Sequence, residues 1–230
     1  MSSTSSQPPL APPRGAAISG VIFAVLTIVG LGLVRYAIPA DWKARGTWLI
    51  EPYHRQAALV ALTLVPFAGI AFLWFMGVLR SRLGEQEDQF YATVFLASGL
   101  LFVASLFAGA AVTGALMGAI ALGSIDSETY YFGRSMSDAL FNIFAIKMAG
   151  VFIFSTCTIG LRTVLFPRWV AYLGYASGLL LLLIIGNWRW ITLVFPCWML
   201  VVSVQILITD RRLRQARTTS GGRYQAQGQI

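Results

Sequence analysis

Phe90-Tyr-Ala-Thr-Val-Phe-Leu-Ala-Ser-Gly-Leu-Leu-Phe-Val-Ala-Ser-Leu-Phe-Ala-Gly-Ala-Ala-Val-Thr-Gly-Ala-Leu-Met-Gly-Ala-Ile-Ala-Leu122 contains no charged residue. A bilayer's ~30 Å hydrocarbon core is crossed by about 20 apolar residues in a helix. This run exceeds that length, so it must tilt or carry one end out of the membrane. It is continuously apolar, whereas barrel strands alternate over about 10 residues. A helix is therefore the only reading, since it satisfies every backbone group within its own segment.

Five further runs of spanning length flank it, giving predicted helices over about 17–38, 57–79, 90–122, 139–161, 168–186 and 190–209. The whole composition agrees. Apolar residues make up 57% of the 230, before the 22 glycines are counted, and charged residues only 11%. Soluble domains carry about 25% charged residues, so a soluble globule is excluded. The two cysteines, Cys157 and Cys197, fall inside apolar runs at different depths and are too few to staple a secreted domain. The expected fold class is all-α, a polytopic transmembrane helix bundle of six spans.

The ends differ from the middle. Residues 1–16 are rich in Ser and Pro and cannot bury a core, so a disordered tail is expected there. Residues 210–230 are expected to form a second unstructured tail, a basic one. It carries Arg211, Arg212, Arg214, Arg217 and Arg223 against Asp210. Six spans put both termini on one side, together with Arg14, Arg80, Arg82, Arg162 and Arg168. That side holds ten basic residues and the opposite side six. The positive-inside rule then places both termini in the cytoplasm. Arg211, Arg212, Arg214 and Arg217 are candidate contacts for anionic lipid headgroups, worth about 1 kcal/mol each beside a charged leaflet. No interleaved aromatics or nucleic-acid motif accompany them, so no nucleic-acid partner is expected.

Lys147 is the strongest functional hint. It lies mid-span in Phe141-Asn-Ile-Phe-Ala-Ile-Lys-Met-Ala-Gly150, with Asn142 nearby. A lysine at mid-membrane costs about 2.5–3.5 kcal/mol on insertion scales. No central carboxylate is available to pair with it. Hydroxyls such as Thr27, Thr63 and Thr113, backbone carbonyls, or water are the candidate partners. Lys147, Asn142 and Thr113 thus form a candidate intramembrane polar site, either a structural network or part of an anion or proton path. Asp126, Glu128, Arg134 and Asp138 are expected in an external loop as candidate outer-mouth residues. Asp138 would stand at the start of the fourth helix, where a carboxylate favours the helix dipole.

The rest reads as packing and punctuation. Gly114 with Gly118, and Gly174 with Gly178, are G-x-x-x-G pairs whose four-residue spacing lets two helix backbones approach. These faces serve either within the bundle or between subunits. Pro66 and Pro196 are expected to kink the second and sixth spans. The first external segment, 36–56, is rich in Trp and Tyr and is expected at the membrane interface. His54, the only histidine, lacks neighbours at ligand spacing, so neither metal nor cofactor is expected. There is no H-E-x-x-H or P-loop, and no paired intramembrane carboxylates, which argues against an enzyme.

The segment Pro66-Phe-Ala-Gly-Ile-Ala-Phe-Leu-Trp-Phe-Met-Gly-Val-Leu-Arg-Ser-Arg-Leu-Gly-Glu-Gln-Glu-Asp-Gln-Phe90, continuing through Thr93-Val-Phe-Leu-Ala-Ser-Gly-Leu-Leu-Phe-Val103, resembles an uncharacterised family of bacterial multi-pass membrane proteins frequent in actinobacteria. The resemblance is clearest over about 60–110 and fainter at Phe166-Pro-Arg-Trp-Val-Ala-Tyr-Leu-Gly174. It implies a bacterial inner membrane and supplies no catalytic residues. The expected role is non-enzymatic, a scaffold or accessory subunit with a membrane-protein partner or in a homo-oligomer. The alternative is a small transporter or channel with a polar path near Lys147.

Overall fold

A computed structural model describes residues 14–37, 51–80, 89–123, 125–162, 167–184 and 190–227. Among these residues there is no strand. The helices are α1 (Arg14–Ala37), α2 (Pro52–Arg80), α3 (Gln89–Ala121), α4 (Ser127–Ala139), α5 (Ile146–Arg162), α6 (Arg168–Leu183) and α7 (Val194–Gln227). A π-helical segment, Leu140–Ala145, joins α4 to α5 without a break, and a 3₁₀ turn, Ile191–Leu193, leads into α7. Five helical stretches are long and apolar enough to cross a membrane, and Arg168–Leu183 is a shorter apolar helix. Residues 1–13 of the expected N-terminal tail, most of the interfacial segment 36–56 and the 81–88 turn lie outside the described residues; residues 14–16 of that tail are the first turn of α1.

Several boundaries move. The fourth span does not begin at 139: helix starts at Ser127, because the Asp126 carboxylate accepts the Thr129 backbone N–H at 3.1 Å and caps the first turn. Asp138 is therefore three turns inside the helix, and the expected outer loop is largely helical. The basic tail is not unstructured from residue 210; α7 runs on through Gln227. No proline follows Pro196 to stop it, and Arg, Leu, Gln and Ala are good helix formers. Pro196 does not kink a span. It falls in the first turn of α7, where its missing N–H has no intrahelical partner to lose. Pro66 does lie inside α2. Gly123 closes α3 at φ +64°, and its N–H donates to the Ile120 carbonyl at 3.0 Å, a left-handed cap that glycine adopts without strain.

The core is aromatic. Phe72 sits at its centre, with ring centroids 5.0 Å from Phe23, 5.1 Å from Phe102, 4.9 Å from Phe152 and 5.8 Å from Phe195. These rings come from α1, α2, α3, α5 and α7, so one cluster ties five helices together. Most pairs are tilted or edge-on, the arrangement ring quadrupoles favour. The buried hydroxyls nearby turn back on their own helices. Ser98 donates to the Val94 carbonyl at 2.7 Å, Ser155 to Val151 at 3.0 Å and Thr156 to Phe152 at 2.7 Å. Each bond satisfies a polar group without a partner helix, which an apolar surrounding requires.

Small residues set the helix spacing. Gly150 of α5 and Gly178 of α6 face each other: a Cβ at either would stand 3.1 Å from the carbonyl oxygen of the other. A Cβ on Gly174 would collide with the Cys157 sulfur and the Trp198 indole. The pair Gly174 and Gly178 therefore sits on a tightly packed face of α6. Gly114 and Gly118 do not. A Cβ on Gly114 would meet only Leu62, at 3.9 Å, and one on Gly118 nothing within 4 Å. Cys157 and Cys197 are both free thiols, the first buried and the second exposed.

Candidate functional site

Lys147 is a helix cap. Its ammonium donates to the carbonyls of Leu181 at 3.1 Å, Leu182 at 2.7 Å and Ile184 at 2.8 Å. The reason lies in α6, which has 16 residues and so extends about 24 Å at 1.5 Å per residue. That is shorter than the hydrocarbon core. The last carbonyls of a helix have no intrahelical partner, and at membrane depth water does not supply one. A lysine on the adjacent helix supplies three N–H donors, and its charge faces the negative end of the α6 dipole. The close approach at Gly150 and Gly178 brings α5 near enough for this reach.

None of the three candidate hydroxyls meets Lys147, and two of them are engaged elsewhere. Thr63 donates to the Leu59 carbonyl at 2.9 Å, and Thr113 to the Gly109 carbonyl at 2.8 Å. Thr27 Oγ1 is buried without a hydrogen-bond partner. Lys147 is thus separated from Asn142 and Thr113, which face a different part of the bundle. Asn142 and Thr113 line a cavity that Lys147 does not, and Lys147 is directed to the α6 carbonyls.

Asn142 and Thr113 belong to a half-open cavity of about 520 Å³ lined by α1, α2, α3, the α4–π–α5 helix and α7, with Leu181 of α6. One end of it is polar. Tyr130, Arg134, Asp138 and Asn142 stand at four-residue intervals and so share one helix face. Arg134 donates to the Tyr130 hydroxyl at 3.0 Å, and Asn142 to an Asp138 carboxylate oxygen at 2.7 Å. Ser137 and Thr113 share a hydrogen bond of 2.6 Å, and Ser137 also donates to the Gly109 carbonyl at 3.2 Å, fixing α4 on α3. From α1, Arg35 donates to Thr192 at 3.1 Å and lies 4.7 Å above the Trp190 ring. The opposite end is apolar, formed by Leu26, Ala68, Leu106 and Ala149 with Phe102 and Phe195 of the aromatic cluster. The π-helical segment carries Asn142; such segments recur at functional sites.

The outer-mouth set divides. Arg134 and Asp138 are half-buried and line the cavity, whereas Asp126 and Glu128 are exposed and do not. The Thr129 hydroxyl and backbone N–H hold the Asp126 carboxyl below its ordinary pKa. A carboxyl depressed on folding stabilises the helix start above its unfolded pKa, and the contribution disappears as pH falls through the folded value. Amide exchange at Thr129 is therefore expected to accelerate below the carboxylate range in the native chain. In Asp126→Ala it should be fast and without this acid step; an unchanged exchange profile would refute the cap.

His54 stacks on Tyr36 with centroids 5.1 Å apart, and its Nδ1 lies 3.1 Å from the Ala37 carbonyl, joining the end of α1 to the start of α2. Among the described residues no three His, Cys, Asp or Glu side chains group as a metal site. Arg211 is exposed on α7; the side chains of Arg212, Arg214 and Arg217 lie outside the described set.

Reading the sequence alone passed over Arg35, Tyr130, Ser137 and Thr192 as one group. For Tyr130 and Ser137 a signal existed: four-residue spacing through Tyr130, Arg134, Asp138 and Asn142, behind the Asp126-x-x-Thr129 cap. For Arg35 and Thr192, which are far apart in the chain, there was none.

These features define the class: a helical membrane protein with a half-open cavity that is polar at one end. Comparison with protein-family models, curated proteins and solved structures gives no match.

Proposed function

We propose that the chain is a six-span protein of the bacterial inner membrane with both termini in the cytoplasm, acting without catalysis as a scaffold or accessory subunit. The location rests on the family resemblance and the orientation on the arginine bias. The role is carried by one observation, that Lys147 gives its three hydrogen bonds to α6 carbonyls. The mid-span cation is then a structural cap that holds α6 to α5 and leaves no ammonium to serve an ion path. The open flank at Gly118 suits contact with another membrane helix, and anionic lipid suits Arg211 and its neighbours. A small transporter remains the second reading, now favoured by the polar end of the cavity near Asn142 and Thr113 instead of by Lys147.

Native membranes extracted in mild detergent test this reading. The tagged chain should leave the column in a complex of fixed stoichiometry, and Gly118→Leu should break that complex while the chain stays folded. Purified monomer that moves a solute into liposomes would replace the accessory role with the transporter. A tag at residue 230 cleaved by protease outside intact cells would overturn the orientation.

A further inference from the structure

We propose that the cavity is a binding site for a neutral lipophile, a hydrocarbon body carrying a hydroxyl. Its volume, about 520 Å³, lies within the range of about 300–1,000 Å³ seen for small-molecule sites. Leucines, alanines and phenylalanines form much of its wall, so the body of its ligand is apolar. The charged side chains at the polar end are already engaged. Arg35 holds Thr192 and Trp190, Arg134 holds Tyr130, and Asp138 accepts from Asn142, each with further interactions besides. A charged ligand would have to break into these contacts and lose its own hydration as well. A neutral one does neither.

The hydroxyl follows from Thr27. In the apolar helices Thr63, Thr113, Thr156 and Thr158 each donate to the carbonyl four residues earlier. That bond satisfies a hydroxyl where water does not reach. Thr27 departs from the pattern: its Oγ1 is buried without a partner among the described residues, and the residue lines the cavity. A buried hydroxyl without a partner is destabilising, and a ligand oxygen on the cavity side relieves it. One χ1 step between staggered wells exchanges the threonine's hydroxyl and methyl, which gives the donor more than one direction. The π-helical segment adds Asn142, whose amide carries a second N–H and a carbonyl besides the N–H given to Asp138. Thr27 precedes Arg35 by eight residues and Asn142 follows Arg134 by eight, so each stands about 12 Å along its helix from a guanidinium. Two neutral hydrogen-bonding groups thus lie nearer the middle of their helices than the guanidiniums do. A hydroxyl both donates and accepts, which suits Thr27 and the amide alike.

The test uses the full chain in phosphatidylcholine nanodiscs and needs no protein partner, so its outcome is separate from that of the accessory role. Hexadecanol, hexadecane, hexadecyl sulfate and hexadecyltrimethylammonium are titrated as mole fractions of the lipid, with bound mass and melting temperature as readouts. One hexadecanol per chain should bind at least about tenfold tighter than any of the other three, a difference of about 1.4 kcal/mol. Thr27→Val, which keeps the shape and removes the hydroxyl, should cut the preference over hexadecane to about threefold or less. Without ligand its melting temperature should hold or rise, because no hydrogen bond is lost. Thr27→Ala gives the same preference reading if the first variant does not fold. Gly30 also lines the cavity, and a Cβ there would meet nothing within 4 Å. Gly30→Phe should therefore remove hexadecanol binding at an unchanged or raised melting temperature. Hexadecane or either ion binding as tightly as the alcohol would overturn the proposal, as would a preference that survives Thr27→Val or binding that survives Gly30→Phe.

Discussion

Lys147→Met is expected to lower the unfolding midpoint in detergent by roughly 5–15 °C. The substitution keeps the length and apolar stem of the side chain and removes its three donors. Hydrogen bonds involving a charged group contribute about 1.5–3 kcal/mol each. Against this stands the cost of holding an ammonium at depth, about 2.5–3.5 kcal/mol on insertion scales. The difference leaves a net loss of about 1–6 kcal/mol, and about 2–4 °C accompanies each kcal/mol for a chain of this size, so the middle of that range gives the shift expected. Lys147→Arg, which keeps N–H donors, should lose less than half as much. The damage should also be local. Amide exchange should rise first in the last turn of α6, at Leu180 to Leu183, where the carbonyls of Leu181 and Leu182 lose their partner. An unchanged midpoint in Lys147→Met would show that the three bonds add nothing net.

Gly178→Leu should be as severe. A Cβ at this position stands 2.8 Å from the Phe154 ring and 3.1 Å from the Gly150 carbonyl. The ring can turn, but the carbonyl belongs to helix backbone and cannot move without shifting α5. Overpacking of this kind costs about 1–3 kcal/mol and occasionally more, and a backbone obstacle places it at the upper end. Separating α5 from α6 also withdraws Lys147 from its acceptors. The two substitutions therefore act on one structure, and the double variant should be less destabilised than the sum of the singles by at least about 1 kcal/mol. Additive losses would show that the glycine contact and the lysine cap are independent. Gly118→Leu is the contrast within a single chain. With nothing within 4 Å of its Cβ, it should be neutral or gain the few tenths to about 1 kcal/mol that replacing a mid-helix glycine brings.

The contrast between the two glycine pairs shows where sequence reasoning stops. Gly114-x-x-x-Gly118 and Gly174-x-x-x-Gly178 have the same spacing, and spacing alone places both on helix faces. Which face meets a helix depends on how the helices rotate against each other, and that is settled by side chains far away in the chain. The segment 126–138 failed for another reason. Its charges suggested a solvated loop, but the cap at Asp126 and the four-residue spacing of Tyr130, Arg134 and Asp138 are helical signals. Tyr130, Arg134 and Asp138 line one cavity with Arg35 and Thr192, side chains drawn from α1 and the turn before α7.

By itself the sequence determined that this chain forms long apolar helices, because a bilayer admits no other continuous structure for runs such as 90–122. It also marked Lys147 as costly, because charge in hydrocarbon is costly whatever surrounds it. Tertiary structure decided what relieves that cost. The apolar run of α6 continues past Leu183, yet the helix ends there, and its last carbonyls become acceptors for a lysine 34 to 37 positions earlier. Backbone carbonyls are the same at every residue, so a partner made of them leaves no trace in the order of amino acids.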